Sequence, residues 1–198
     1  MSTVAPLNPQ VAALFSQMNG SASQATPDTG EGFQGEWPAE GLSDNHITAM
    51  VVAPGTIKGK GPNKSDLVCA DVTFSYEHIP NDKEPGYDPN KPILKWTGSR
   101  MQLLTDAEFA KLNPEDGFTK AMRINFNRFL GHATKILKRS PEECTNLSEV
   151  LQALHGLCNN PDRRVTVSVD VQRQKWTNKG TGKETSKLVE FIKDNIGN

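Results

Sequence analysis

A mainly β domain with a helical insert between its third and fourth strands is the fold class this sequence predicts. Three observations carry that expectation. Val165, Val167, Val169 and Val171 stand at every second position, and Val189 and Phe191 resume the alternation after a turn at Gly180 to Gly182. That is the pattern of a long hairpin. Val68, Ala70, Val72, Phe74 and Tyr76 repeat the two-residue period on an earlier strand. Between these runs, from Thr105 to Leu157, the apolar spacing becomes that of helices.

The bulk numbers agree with one folded domain and an extension. The chain has 198 residues, 35% of them hydrophobic and 23% charged. Its mean hydropathy is -0.55, which points to polar loops or a tail. The length suffices for a core without disulfides. The formal net charge is -1, but it is unevenly placed. Residues 1–42 hold Asp28, Glu31, Glu36 and Glu40 with no Lys or Arg, so the rest of the chain is mildly basic. Residues 1–42 are rich in Ser, Gly, Pro and Gln, with one short helix at Val11 to Met18. Most of this stretch is expected to be a flexible acidic arm. The domain proper is then 43–198. Cys69, Cys144 and Cys158 are too few and odd in number for a disulfide framework and fit a reducing cytoplasm. No secretory leader and no apolar run of about 20 residues is seen, so a soluble cytoplasmic protein is expected.

The elements follow in order. A first strand spans about His46 to Ala53, dense in β-branched residues, and Pro54-Gly55 stops it. The loop Gly55 to Lys64 carries Lys58, Lys60 and Lys64 among three glycines. It lacks the phosphate-loop pattern and reads as a mobile basic connection. A second strand runs from Leu67 to Glu77. A proline-rich loop with Tyr87 leads to a short third strand, Ile93 to Gly98, with Arg100 beyond it. The insert, about 105–158, opens with the capping box Thr105 to Glu108 and a short helix to Leu112. An amphipathic helix follows from Thr119 to Lys138, and a third runs from Leu147 to Leu157. The hairpin from Arg164 to Phe191 closes the chain.

Three strands, a helical segment and two strands is the order of the five-stranded oligonucleotide-binding (OB) barrel. In that fold, strands two and three form the binding face. The loops between strands one and two and between strands four and five flank it. Those two loops are the basic ones here. The second carries Arg173, Lys175, Lys179 and Lys183 around Trp176. Cations beside an aromatic plane suit a single strand, whose phosphates take the charge and whose bases stack. The expected contacts are therefore Lys58, Lys60, Lys64, Arg100, Arg173, Lys175, Lys179 and Lys183 to phosphates. Trp176 is the main stacking residue, joined by Phe74, Tyr76 or Trp96, which share their strands' phase with core positions.

The chain also resembles the single-stranded DNA-binding proteins encoded by bacteriophages, diverged members of the OB class. The resemblance covers about residues 42–195. It rests on the strand run ending Thr73-Phe74, the segment Trp96-Thr97-Gly98, the helix with Phe126 to Gly131, and the closing pattern Trp176-x-x-Lys179-Gly180-x-Gly182-Lys183 before Leu188 to Phe191. It implies cooperative, largely sequence-independent cover of single-stranded DNA in replication or recombination, in the host cytoplasm. It further implies assembly of copies on DNA. Bacterial proteins of this function usually carry an acidic C-terminal peptide, and Asp194 to Asn198 lacks one. The acidic N-terminal arm is the expected contact for replication or recombination proteins.

No catalytic motif concentrates the carboxylates, and neither G-x-S-x-G nor H-E-x-x-H occurs, so a non-enzymatic protein without cofactor is expected. His155 and Cys158 share a helix face, with Cys144 and His132 elsewhere, but no C-x-x-C pair supports a metal. The competing expectation is a partner-binding β-barrel accessory protein. Its helical insert would dock another protein through an exposed apolar patch.

Overall fold

The computed structural model describes residues 6–24, 41–82, 88–90, 93–177 and 182–197. Two short helices come first, α1 (Pro9–Ser16) and α2 (Asn19–Gln24). Strands β1 (Leu42–Ile57), β2 (Leu67–His78), β3 (Lys95–Thr97) and β4 (Met101–Leu104) follow. The insert contains α3 (Asp106–Phe109), α4 (Gly117–Leu137) and α5 (Leu147–Cys158). The hairpin strands β5 (Val165–Thr177) and β6 (Glu184–Gly197) end the chain. All six strands form one antiparallel sheet in the order β3-β2-β1-β5-β6, with β4 also paired to β2.

Strand alternation sets the core. Ala70, Val72, Phe74 and Tyr76 of β2 and Val165, Val167 and Val169 of β5 point inward and are buried. On β1 the register shifts between Ile47 and Ala49. This bulge changes the buried parity from Asn45 and Ile47 to Met50. β5 pairs only with Leu42 to Ile47, so the rest of β1 is an edge on that side. There the Asn159 side chain stands in for a strand: its Oδ1 accepts from Met50 N at 2.9 Å and its Nδ2 donates to Met50 O at 3.0 Å. These bonds show that even-numbered residues turn their backbone groups to the open edge. Pro54 lies in that phase, so its missing N–H costs no ladder bond and β1 runs through Pro54-Gly55 to Ile57. The stop expected at Pro54 is thereby corrected.

The five-stranded closed barrel is also corrected. The expected third strand, Ile93 to Gly98, shortens to β3, β4 is a further strand that was not expected, and among the described residues neither pairs with β6. α4 packs on both β4 and β6 at this seam. The seam is held by side chains in place of a backbone ladder. The Glu190 carboxylate accepts from Ser99 N at 2.9 Å and from Ser99 Oγ at 2.8 Å. Asn195 Nδ2 donates to Ile136 O at 2.7 Å. Side-chain bridges hold strands farther apart than ladder bonds do, and a helix fills the gap.

Residues 6–24 are not a free arm. Val11, Phe15 and Met18 are fully buried, and Phe15 meets Phe129 of α4 edge-on at 5.6 Å. Asp106 accepts from the backbone N–H of Gly20 and Ser21 at 2.9 and 2.8 Å, and Asn19 Oδ1 accepts from Leu147 N. The acidic stretch with Asp28, Glu31, Glu36 and Glu40 lies outside the described residues.

Candidate nucleic-acid interface

The β1–β2 loop, expected as a mobile connection, is clipped by hydrogen bonds. Gly61 N donates to Ser65 O at 2.8 Å and Ser65 N to Pro62 O at 3.0 Å. Asn63 and Lys64 turn the chain in the left-handed region, with φ of 53° and 61°. Asp66, just past the lysine run, accepts from Lys58 Nζ at 2.6 Å and Gly59 N at 3.0 Å. The lysine bond, then the backbone bond, holds the Asp66 carboxyl below its usual range. Lys58 is exposed but shares its charge with Asp66. Lys60 stands over the Phe118 ring at 5.8 Å. Arg100 reaches Asp71 at 3.4 Å, and Asp71 also accepts from Gln102. The carboxyl of Asp71 lies 2.8 Å from the place of a Cβ on Gly55, so a larger residue there would displace the Asp71 side chain. Lys58 and Arg100 thus stand beside acids, and the sheet face between them offers a weaker field than their residue types suggest.

The aromatic assignments on the sheet need correction. Phe74 is fully buried, edge-on to His132 at 5.6 Å. Tyr76 is 1% exposed. Both are core residues and cannot offer a ring face to a base. Trp96 stacks on Tyr76 at 4.3 Å and donates its Nε1–H to Asn45 Oδ1 at 3.0 Å. It is half-buried, with one ring face already covered, and it closes the core beneath β3.

The hairpin is different. β5 leaves β1 after Asp170, with one further bond from Val171 N to Gly41 O. From Gln172 to Thr177 its strand partner among the described residues is β6 alone. A two-stranded ribbon therefore extends past the sheet. On one face Arg173 stands opposite Leu188, Lys175 opposite Ser186 and Thr177 opposite Glu184. On the other, Gln174 is opposite Lys187; in the backbone register Trp176 pairs with Thr185. Lys175, Lys183 and Lys187 are exposed and Arg173 is half-buried. Gly182 takes a left-handed φ of 65° where the chain re-enters β6. Lys179 lies outside the described residues. Antiparallel pairing puts this ribbon and the β1–β2 loop at opposite ends of β1, so the two basic loops are not brought together.

The root of the ribbon is a buried polar cluster that sequence reasoning missed. Besides Ser99, it contains Glu190, Arg128, His132 and Tyr76, each no more than 2% exposed. Arg128 Nη2 donates to Ser99 O at 3.3 Å, and His132 Nε2 lies 3.3 Å from Glu190 O. Gly98 is needed here: a Cβ would sit 2.4 Å from Glu190 Oε1. Burial pushes the Tyr76 phenol well above its ordinary value, with the Glu190 charge adding to the effect. Burial first, then the Arg128 charge, pulls His132 down to about 3. Closed to solvent, this cluster acts as a strut fixing β6 to α4 and to the link between β3 and β4. No local signal marked it, because Glu190 stands between Val189 and Phe191, where an alternating strand ordinarily turns a polar residue to solvent.

The His132 shift sets a pH dependence. The folded value lies near 3 and the ordinary value is 6.5. Between those limits the unfolded chain binds the extra proton, so stability falls as pH drops below about 6.5. His155 is lowered by burial too and adds in the same direction. Urea denaturation between pH 7 and pH 5 is expected to show this loss, and His132→Gln to flatten it. Stability that stays constant across that window would contradict the neutral buried imidazole.

Among the described residues no three His, Cys, Asp or Glu side chains gather in a metal-binding arrangement. No described helix is long and apolar enough to cross a membrane. Comparison with known proteins returns no match: no family model, no curated protein and no solved structure.

Proposed function

We propose that this protein binds single-stranded DNA, largely without regard to sequence, in phage replication or recombination. The β5–β6 ribbon is its main contact. One observation carries the reading: beyond Asp170 the hairpin leaves the sheet and holds Arg173, Lys175, Lys183 and Lys187 along a two-stranded arm that includes Trp176. Such an arm can track a phosphate backbone while an aromatic residue stacks on bases. The strand connectivity supports a diverged, open relative of the OB class. β1 lies between β2 and the β5–β6 hairpin, and the helices are inserted before that hairpin. The strut at Glu190 supplies a rigid root for the arm. Lys58, Lys60, Lys64 and Arg100 become secondary contacts on this reading.

The partner-docking alternative needs an exposed apolar patch on the insert. Among the described helical residues Ile124 is the exposed large hydrophobic side chain, and the other apolar positions of α4 and α5 cover the sheet or α1. The test is a titration of the full chain with a fluorescent oligothymidylate at two salt concentrations, beside a duplex of equal length. Salt-weakened binding that prefers the single strand is expected. Trp176→Ala is expected to cost about 1–3 kcal/mol of binding. Absence of binding at low salt would overturn the reading.

A further inference from the structure

A recess of about 240 Å³ lies where the β1 bulge meets the C-terminal end of α5. His46, Thr48, Asn159, Asn160, Arg163 and Arg164 contribute to its lining. It is separate from the ribbon. Three features define its chemistry. Among the described lining residues none is acidic, while two are arginines and one is a histidine. The walls are built, not incidental. Asn159 is locked to both backbone groups of Met50. Asn160 holds a tight turn, its Oδ1 accepting from Asp162 N at 2.9 Å and its carbonyl from Arg163 N at 3.3 Å. His46 is oriented by Thr166, with Nδ1 and Oγ1 3.0 Å apart. Finally, the arginines are differently committed. Arg164 is steered by Glu77 at 3.3 Å, whereas Arg163 is exposed and makes no ion pair among the described residues.

A guanidinium presents a planar fork of donors that matches a tetrahedral oxyanion, and Asn160 adds an amide beside it. The α5 terminus opposes an anion with the equivalent of about half a negative charge. Arg163 and the share of Arg164 left by Glu77 oppose that charge, with the exposed Asp162 in the same turn. We propose that this recess is a binding site for a phosphate group. The site stands on its own lining and does not depend on the ribbon.

The test is an NMR titration of the isotopically labelled full chain at constant ionic strength. Sodium phosphate, a nucleoside 5′-monophosphate and an oligothymidylate without terminal phosphate are added in separate runs. Saturable shifts are expected at the Asn160, Asp162 and Arg163 amides with phosphate. Arg163→Gln, at an exposed position, is expected to weaken that response at least fivefold, and the double variant with Arg164→Gln to remove saturation. A response to the monophosphates alone identifies a free phosphate or nucleotide as the source, and a response to the oligonucleotide as well identifies a nucleic-acid backbone. Shifts that rise linearly without saturating would overturn the proposal. So would shifts that persist unchanged in the double variant, or that fall only on the ribbon lysines. In the last case oligonucleotide binding still stands and the recess alone is refuted.

Discussion

Phe15→Ala is expected to lower the unfolding free energy by about 3–5 kcal/mol, the cost of emptying a fully packed aromatic site. The whole stability of a domain this size is commonly about 5–15 kcal/mol, so this is a large part of it. Phe15 is fully buried and meets Phe129 at the centre of α4's buried face, while Val11 and Met18 fill the same layer. α1 also lies against α5 and β1, so the loss cannot be confined to a fraying terminus. Urea denaturation of the full chain measures it. A change within about 0.5 kcal/mol, the range of surface substitutions, would mean that the N-terminal helix does not complete the core.

The second large effect is on binding. A variant with Arg173, Lys175, Lys183 and Lys187 all changed to Gln is expected to fold as the parent does, since three of the four are exposed and the fourth is half-buried on the arm. Each phosphate neutralised by a cation on a single strand contributes about 0.7 to the slope of log affinity against log salt. If all four cations meet phosphates, the slope should fall by about 3. From 50 to 200 mM salt the parent should then lose roughly fiftyfold more affinity than the variant. The same substitutions at Lys58 and Arg100 should do less, because Asp66 and Asp71 stand beside those charges.

Much of this fold was legible because alternation and helical spacing are local. The valines of β5, the inward face of β2, the Thr105 cap and the extents of α4 and α5 all follow from patterns the structure repeats. Other features depend on neighbours that no window of sequence contains. Pro54 ends a strand only where its N–H is needed, and β1 becomes an edge after Ile47 because β5 begins opposite it, at Val165. Val68 is exposed although it lies in phase with Ala70. Cys69, out of phase, is buried with Leu104 and Met122, because at this end of β2 the opposite face is also covered. That burial, ahead of the nearby Asp71 charge, pushes the Cys69 thiol up to about 12. The N-terminal helix carried a readable signal in Asn8 and Pro9, a cap and a first-turn proline, followed by Val11, Phe15 and Met18 at helical spacing. The short helix was expected, but the polar, glycine- and serine-rich composition around it hid its packing on the core.

At the candidate site the charged and aromatic types were legible, but their commitments were not. Phe74 and Tyr76 share a period with Val72, and the core claims all three. Asp66 and Asp71 neutralise cations that stand several residues or a strand away. Barrel closure fails for a similar reason. Glu190 bonds to Ser99 through its side chain, which leaves room for α4 and none for a ladder.

The most direct measurement is the affinity of the full chain for a fluorescent oligothymidylate across a salt series, with the four-site ribbon variant measured beside it. The ribbon as the main contact predicts a steep slope for the parent and one shallower by about 3 for the variant, with unchanged melting temperatures. Equal slopes and equal affinities for the two proteins would contradict it and place any DNA contact elsewhere on the molecule.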